Sequence, residues 1–141
     1  MKSIYLPKDM ELLVCSYGGV GTTFLIDFLA QYKTCNNRND QDGFKHLDKP
    51  PPTCNPDLKA IYIFGNPIDA IYSLFRRDFH NEQSYKLLEQ YSKLAPVPME
   101  MSLETYAKDG IDRFHFENHF LNWSQRHFQY SILFVRYEKI W

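Results

Sequence analysis

The chain has 141 residues, enough for one domain with a buried core, and its 16 basic residues against 17 acidic ones leave a formal net charge of −1. That balance gives no global attraction to nucleic acid or to an anionic membrane surface, so any anion site has to be local. No apolar segment approaches the length of a membrane span and Met1 to Asp9 lack the apolar stretch of a signal peptide, which sets the expectation of a soluble, cytoplasmic protein.

In chain order, residues Met1 to Glu11 lead into the apolar run Leu12-Leu13-Val14-Cys15, which stops at Tyr17-Gly18-Gly19-Val20-Gly21. Directly after it the apolar spacing becomes helical, at Phe24, Leu25, Phe28 and Leu29, and predicts a helix from about Thr22 to Lys33. A strand, a tight loop and a helix N-terminus in succession make an anion site, most naturally for phosphate or sulfate. Glycines admit close backbone approach, and the N–H groups at Thr22 and Thr23 have no intrahelical partners. The alternative is a glycine-rich turn that binds nothing. The nucleoside-triphosphate loop G-x-x-x-x-G-K-[ST] is not met, because Thr22 follows Gly21 where that loop needs lysine.

A long connection follows, polar from Arg38 to Gly43 and proline-rich from Pro50 to Pro56; one of this length is usually functional or mobile. It contains Phe44-Lys45-His46-Leu47-Asp48. His46 is of the type that accepts a proton near neutral pH, an exposed loop histidine being the alternative. Leu58 to Phe64 predicts a second strand. Asn66 as N-cap, Pro67 at the first helical position and Asp69 in the first turn then open a second helix. The pair Arg76-Arg77 at its end reads as a solvated face, an anion contact being the alternative.

Asn81 to Leu94 predicts a helix with Tyr85, Leu88 and Tyr91 on one face, ended by Ala95-Pro96-Val97-Pro98. Ser102 caps a short helix, and a longer one is expected from Ile111 to His127. His115, His119 and His127 lack the cysteines or second cluster that a metal site needs. Of the cysteines Cys15, Cys35 and Cys54, the first is expected as a small buried hydrophobe in strand one. Tyr130 to Glu138 predicts a last strand of the buried type.

The segment Ser16-Tyr17-Gly18-Gly19-Val20-Gly21-Thr22-Thr23-Phe24 resembles the 5'-phosphosulfate loop of the sulfotransferases, T-Y-P-K-S-G-T-T-W, with Tyr17, Gly21, Thr22 and Thr23 in register. Gly65-Asn66-Pro67-Ile68-Asp69 through Ser73 is similar to the family's second signature, R-N-P-x-D-x-x-x-S. His46 corresponds to the histidine of its K-T-H-x-P segment, His119 and Trp123 match H-x-x-x-W, and Tyr137-Glu138 match the end of a later strand. Two departures stand out: Gly19 replaces the family's loop lysine and Gly65 its clamp arginine. The family's C-terminal R-K-G segment has no counterpart, so the single domain 1–141 corresponds to the N-terminal portion of that fold.

The resemblance implies a P-loop NTPase-like α/β fold, a three-layer sandwich with a short, mainly parallel sheet. It implies sulfuryl transfer from 3'-phosphoadenosine 5'-phosphosulfate to a hydroxyl or amine of a small molecule or glycan, without a metal. Gly18, Gly19, Val20, Gly21, Thr22 and Thr23 would hold the 5'-phosphosulfate and Phe24 would face adenine. Ser73 would contact the 3'-phosphate, Tyr137 would lie near adenine, and His46 would be the general base. His119 and Trp123 are expected to be structural. A catalytically degenerate nucleotide-binding module of the same fold and, below it, a P-loop nucleotide kinase are the alternatives.

Overall fold

The computed structural model describes residues 4–88, 93–125 and 127–140. Three strands, β1 (Leu12–Ser16), β2 (Lys59–Phe64) and β3 (Ile132–Arg136), form one parallel sheet in the order β1-β2-β3. Among the described residues five helices accompany it: α1 (Thr22–Leu29), α2 (Pro67–Arg76), α3 (His80–Leu88), α4 (Leu103–Asp109) and α5 (Phe116–Ser124). The chain is thus an α/β fold, as parallel strands joined by helical crossovers require. No described helix is long and apolar enough to cross a membrane.

In β1 the side chains Leu13, Val14, Cys15 and Ser16 are all buried, the mark of a parallel strand covered on both faces. Register places Cys15 beside Tyr62 and Tyr62 beside Phe134, so the three share a face. There the Tyr62 ring meets Trp123 of α5 at 5.1 Å between centroids. β3 departs from the buried strand expected of its apolar run. Like β1 it is an end strand of the sheet, but its side chains lack the cover that β1 has, and Leu133 is 61% and Phe134 37% exposed.

Helix boundaries moved for local reasons. α1 stops at Leu29, and the N–H groups of Tyr32 and Lys33 both turn back to the Leu29 carbonyl. α3 buries Gln83, Ser84 and Leu87 while Tyr85, expected on the inner face, is exposed; Tyr91 lies outside the described residues. α5 begins at Phe116 rather than Ile111. Asp112 Oδ1 accepts from the N–H groups of Phe114 and His115, each at 3.0 Å, and this side-chain turn occupies the backbone that a helix would have used.

The sheet brings two helix starts together. Tyr17 after β1 donates its hydroxyl to the Gly65 carbonyl at 2.6 Å and accepts from the Gly65 N–H at 2.8 Å. The loops that follow β1 and β2 are thereby stitched side by side at the carboxyl edge of the sheet, the usual place for ligands in open α/β sheets.

Candidate functional site

The loop after β1 is built on backbone that side chains avoid: φ is 99° at Gly18, 71° at Gly19 and 74° at Gly21. Ser16 Oγ, at the strand end, accepts from the Gly18 N–H at 3.0 Å and pairs with Thr22 Oγ1 at 2.6 Å, which closes the loop on itself. Five further donors remain. No described residue accepts from the N–H groups of Gly19, Val20, Gly21, Thr22 or Thr23. Successive N–H groups in left-handed and helical conformations, at a helix N-terminus, form a concave nest of partial positive charge.

A cavity of about 520 Å³ opens beside the loop. Of the residues expected at a nucleotide site, Gly18, Gly19, Gly21, Thr22, Thr23 and Phe24 line it together with His46. Val20 turns into the core, being 2% exposed. Ser73 on α2 and Tyr137, in a 3-10 turn (Tyr137–Lys139), are not part of that lining, and the Tyr137 ring instead backs Gly21.

His46 is half-buried, and desolvation pushes its imidazole down to about 4. It is therefore neutral near pH 7. Nδ1 lies 2.8 Å from the Ser16 carbonyl, which can only accept, so Nδ1 carries the proton and Nε2 keeps the lone pair. The backbone around it is fixed from α5. His119 Nε2 donates to the His46 carbonyl at 3.3 Å while its Nδ1 accepts from the Tyr62 hydroxyl at 2.7 Å, and Trp123 Nε1 donates to the Leu47 carbonyl at 2.8 Å. Burial likewise holds His119 down at about 4. Cys15 is fully buried, its thiol 3.6 Å from the same Leu47 carbonyl and pushed well above the usual range by desolvation.

Of the cations of the cavity the sequence offered Arg77 only as an alternative anion contact and did not single out Lys45. Lys45 Nζ lies 2.6 Å from Thr23 Oγ1 and 2.9 Å from the Arg38 carbonyl. Desolvation lowers its pKa; Asp40 opposes the shift, and the positive charges of Lys86, Arg77 and Arg38 add to it. The ammonium thus stands over the second threonine of the loop, although Gly19 leaves the loop itself without a lysine. Its neighbour His46 was the only signal. Arg77, read as part of a solvated face, also lines the cavity, with Phe79, Gln83 and Lys86.

The two family departures are fixed by packing. A Cβ on Gly19 would stand 2.8 Å from the Ala70 carbonyl oxygen of α2, so a lysine cannot enter there without moving the helix. At Gly65, where φ is ordinary, a Cβ would meet Glu138 Oε1 at 3.0 Å, the oxygen that accepts from the Asn66 N–H at 2.6 Å. An arginine at that position would pair first with Glu138. Among the described residues no three His, Cys, Asp or Glu side chains form a metal-holding group.

No family model, no curated protein and no solved structure matches the chain.

Proposed function

We propose that this chain is a sulfotransferase-like protein, a three-layer α/β domain of the P-loop type, which transfers a sulfuryl group from 3'-phosphoadenosine 5'-phosphosulfate to a hydroxyl or amine. The observation that carries the reading is the run of five loop N–H groups without a described acceptor, four of them on residues (Gly19, Gly21, Thr22 and Thr23) that line one cavity with Lys45 and the neutral His46. The N–H nest and the Lys45 ammonium hold the phosphosulfate. His46 Nε2 takes the acceptor's proton as its oxygen attacks sulfur. The bond from sulfur to the bridging phosphate oxygen breaks, and 3',5'-adenosine bisphosphate leaves. Charge grows on that bridging oxygen, where N–H groups and an ammonium stabilise it most. In this reading Phe24, on the cavity wall, faces adenine, whereas Ser73 and Tyr137, expected at the 3'-phosphate and near adenine, lie outside that lining.

The test is ligand stabilisation. At 100 times its dissociation constant, 3',5'-adenosine bisphosphate adds about 2.7 kcal/mol to the folded state, a melting shift larger than that given by ATP at equal concentration. A larger shift with ATP and Mg²⁺ overturns the donor assignment and favours the kinase reading. A second reading is a module that binds the nucleotide and has lost transfer. It is favoured by the packing that keeps lysine out of position 19 and sets Glu138 against position 65. Transfer of labelled sulfate to a panel of acceptors separates the two.

A further inference from the structure

We propose that β3 is a pairing edge for a second copy of this chain: two β3 strands meet antiparallel on a two-fold axis at Phe134 and join the two sheets into one, whether or not the glycine loop holds a nucleotide. The chain treats its two sheet edges differently. On β1 the outward N–H groups are all taken by the chain itself. That of Leu12 bonds the Thr34 carbonyl at 3.1 Å, that of Val14 the Asn36 side chain at 2.8 Å and that of Ser16 the Lys45 carbonyl at 3.1 Å, while Asn36 Nδ2 donates to the Val14 carbonyl at 3.0 Å. On β3 the Ala60 N–H bonds the Ser131 carbonyl at 3.0 Å. The parallel register, with Tyr62 beside Phe134, then turns the backbone groups of Leu133 and Val135 toward β2 and those of Ile132 and Phe134, with the Arg136 N–H, outward. No described residue accepts from these three N–H groups, and β3 ends the sheet. Proteins ordinarily guard such an edge with proline, a charge, a bulge or a covering segment. Ile132-Leu133-Phe134-Val135 has no proline and no charge, and its register with β2 runs without a bulge.

What fits this edge is the same edge. In an antiparallel pair centred on Phe134, that residue faces its counterpart and Ile132 faces Arg136, so outward backbone groups meet outward backbone groups. On one face of the joined sheet the Phe134 rings meet across the axis, and on the other Leu133 meets Val135. Leu133 and Phe134 are the large apolar side chains that the strand leaves exposed, at 61% and 37%. The charges agree with this register. Arg136 falls opposite Ile132 and not against its own copy, and its charge is met within the chain by Glu138 at 3.1 Å. An axis at Arg136 would oppose two arginines, and one at Ile132 would set Leu133 against Ser131. A foreign strand finds no charge on Ile132 to Val135 to select it. Because the strands run antiparallel across the axis, the carboxyl ends of the two sheets point apart, and the cavity beside each glycine loop stays open.

The experiment is sedimentation velocity of the full chain at concentrations from micromolar to submillimolar, with amide hydrogen exchange read over the same range. The expected result is a reversible monomer–dimer equilibrium with nothing larger, since a two-fold interface closes on itself, and slower exchange at Ile132 and Phe134 as the dimer forms. Leu133→Lys changes an exposed position, leaves the fold intact by circular dichroism, and occurs twice per dimer; it weakens association by about 10-fold or more. Phe134→Lys sets like charges across the axis and weakens it further; should that variant fail to fold, Leu133→Lys decides. A native chain that stays monomeric throughout, a dimer that the folded lysine variants leave intact, or assemblies larger than a dimer overturn the proposal. Slow exchange at Ile132 and Phe134 in a monomeric chain shows the edge covered by this chain's own residues, and overturns it as well.

Discussion

Two desolvated imidazoles, the half-buried His46 and the buried His119, make the fold sensitive to mild acid, and the size of the effect follows from their environment. Each is held at about 4 by desolvation, against an ordinary value of 6.5. The folded value is the depressed one, so as pH falls below 6.5 the unfolded chain takes up protons that the folded chain refuses. Stability is complete above that point and is lost progressively down to about 4. At about 1.4 kcal/mol per pKa unit, each histidine removes roughly 3 kcal/mol by the end of this window. The two interact, so their losses do not simply add, and the joint loss is on the order of a few kcal/mol against the 5–15 kcal/mol typical of a domain. Carboxylates held low by hydrogen bonds, such as Glu138 beside the Asn66 N–H, act mainly below this window.

The assay is urea unfolding followed by tryptophan fluorescence at several pH values between about 7 and 4, with the slope checked for constancy. His119→Gln removes one of the two titrations, and its amide can still donate toward the His46 carbonyl. The native chain is expected to lose a few kcal/mol across the window and the variant a smaller part of its own starting stability. A midpoint unchanged between about pH 7 and 5, or an unaltered pH dependence in His119→Gln, refutes the reasoning.

If transfer is detected, His46→Ala lowers turnover by roughly 10²- to 10⁴-fold with little change in bisphosphate affinity. In the native enzyme kcat/KM then shows no acid limb between about pH 5 and 7, because the base is already deprotonated there; an inflection near 6.5 argues against the buried neutral imidazole. Lys45→Met weakens bisphosphate binding about 10-fold to 100-fold, read by calorimetry, and unchanged affinity removes Lys45 from the site. Asp78→Gly relieves a left-handed residue and raises stability by about 1 kcal/mol in urea titration; an unchanged or lower stability shows that the turn is not strained at Asp78.

What could be read from the chain beforehand was whatever local chemistry decides. Asn66 and Pro67 open α2 as expected, with the Asn66 side chain accepting from the Ile68 N–H at 2.9 Å, because cap, ring constraint and acidic first turn all lie within four residues. The strand, glycine turn and helix around Gly18 to Thr23 are local in the same sense. Arg77 could be offered only as an alternative anion contact, because a helical pattern ends before the α2–α3 turn that redirects it. Lys45 meets Thr23 across 22 residues, a contact that no spacing rule encodes. β3 looks like a buried strand in sequence and is largely uncovered in space, while β1, an end strand too, is buried, since apolar content records what a strand can bury and not what packs over it.

The glycines of the loop show how a motif can be over-read. A Cβ on Gly18 would meet the Gln83 side chain at 2.7 Å, one on Gly19 the Ala70 carbonyl at 2.8 Å and one on Gly21 the Tyr137 ring at 2.7 Å. Packing against the α2 backbone at Gly19 and the Tyr137 ring at Gly21, and the positive φ at all three places, therefore favour glycine before any ligand arrives. Gly21→Ala is expected to destabilise the ligand-free chain by about 1–3 kcal/mol, through the positive φ and the crowded ring together. A ligand-free stability equal to that of the native chain would mean that the Tyr137 ring does not back the loop. Lost nucleotide binding in such a variant would say little about an anion site, because the loop would have moved. What packing leaves unexplained is the run of five N–H groups for which no described residue is an acceptor, and Lys45 beside them can be neutralised without touching the loop's backbone.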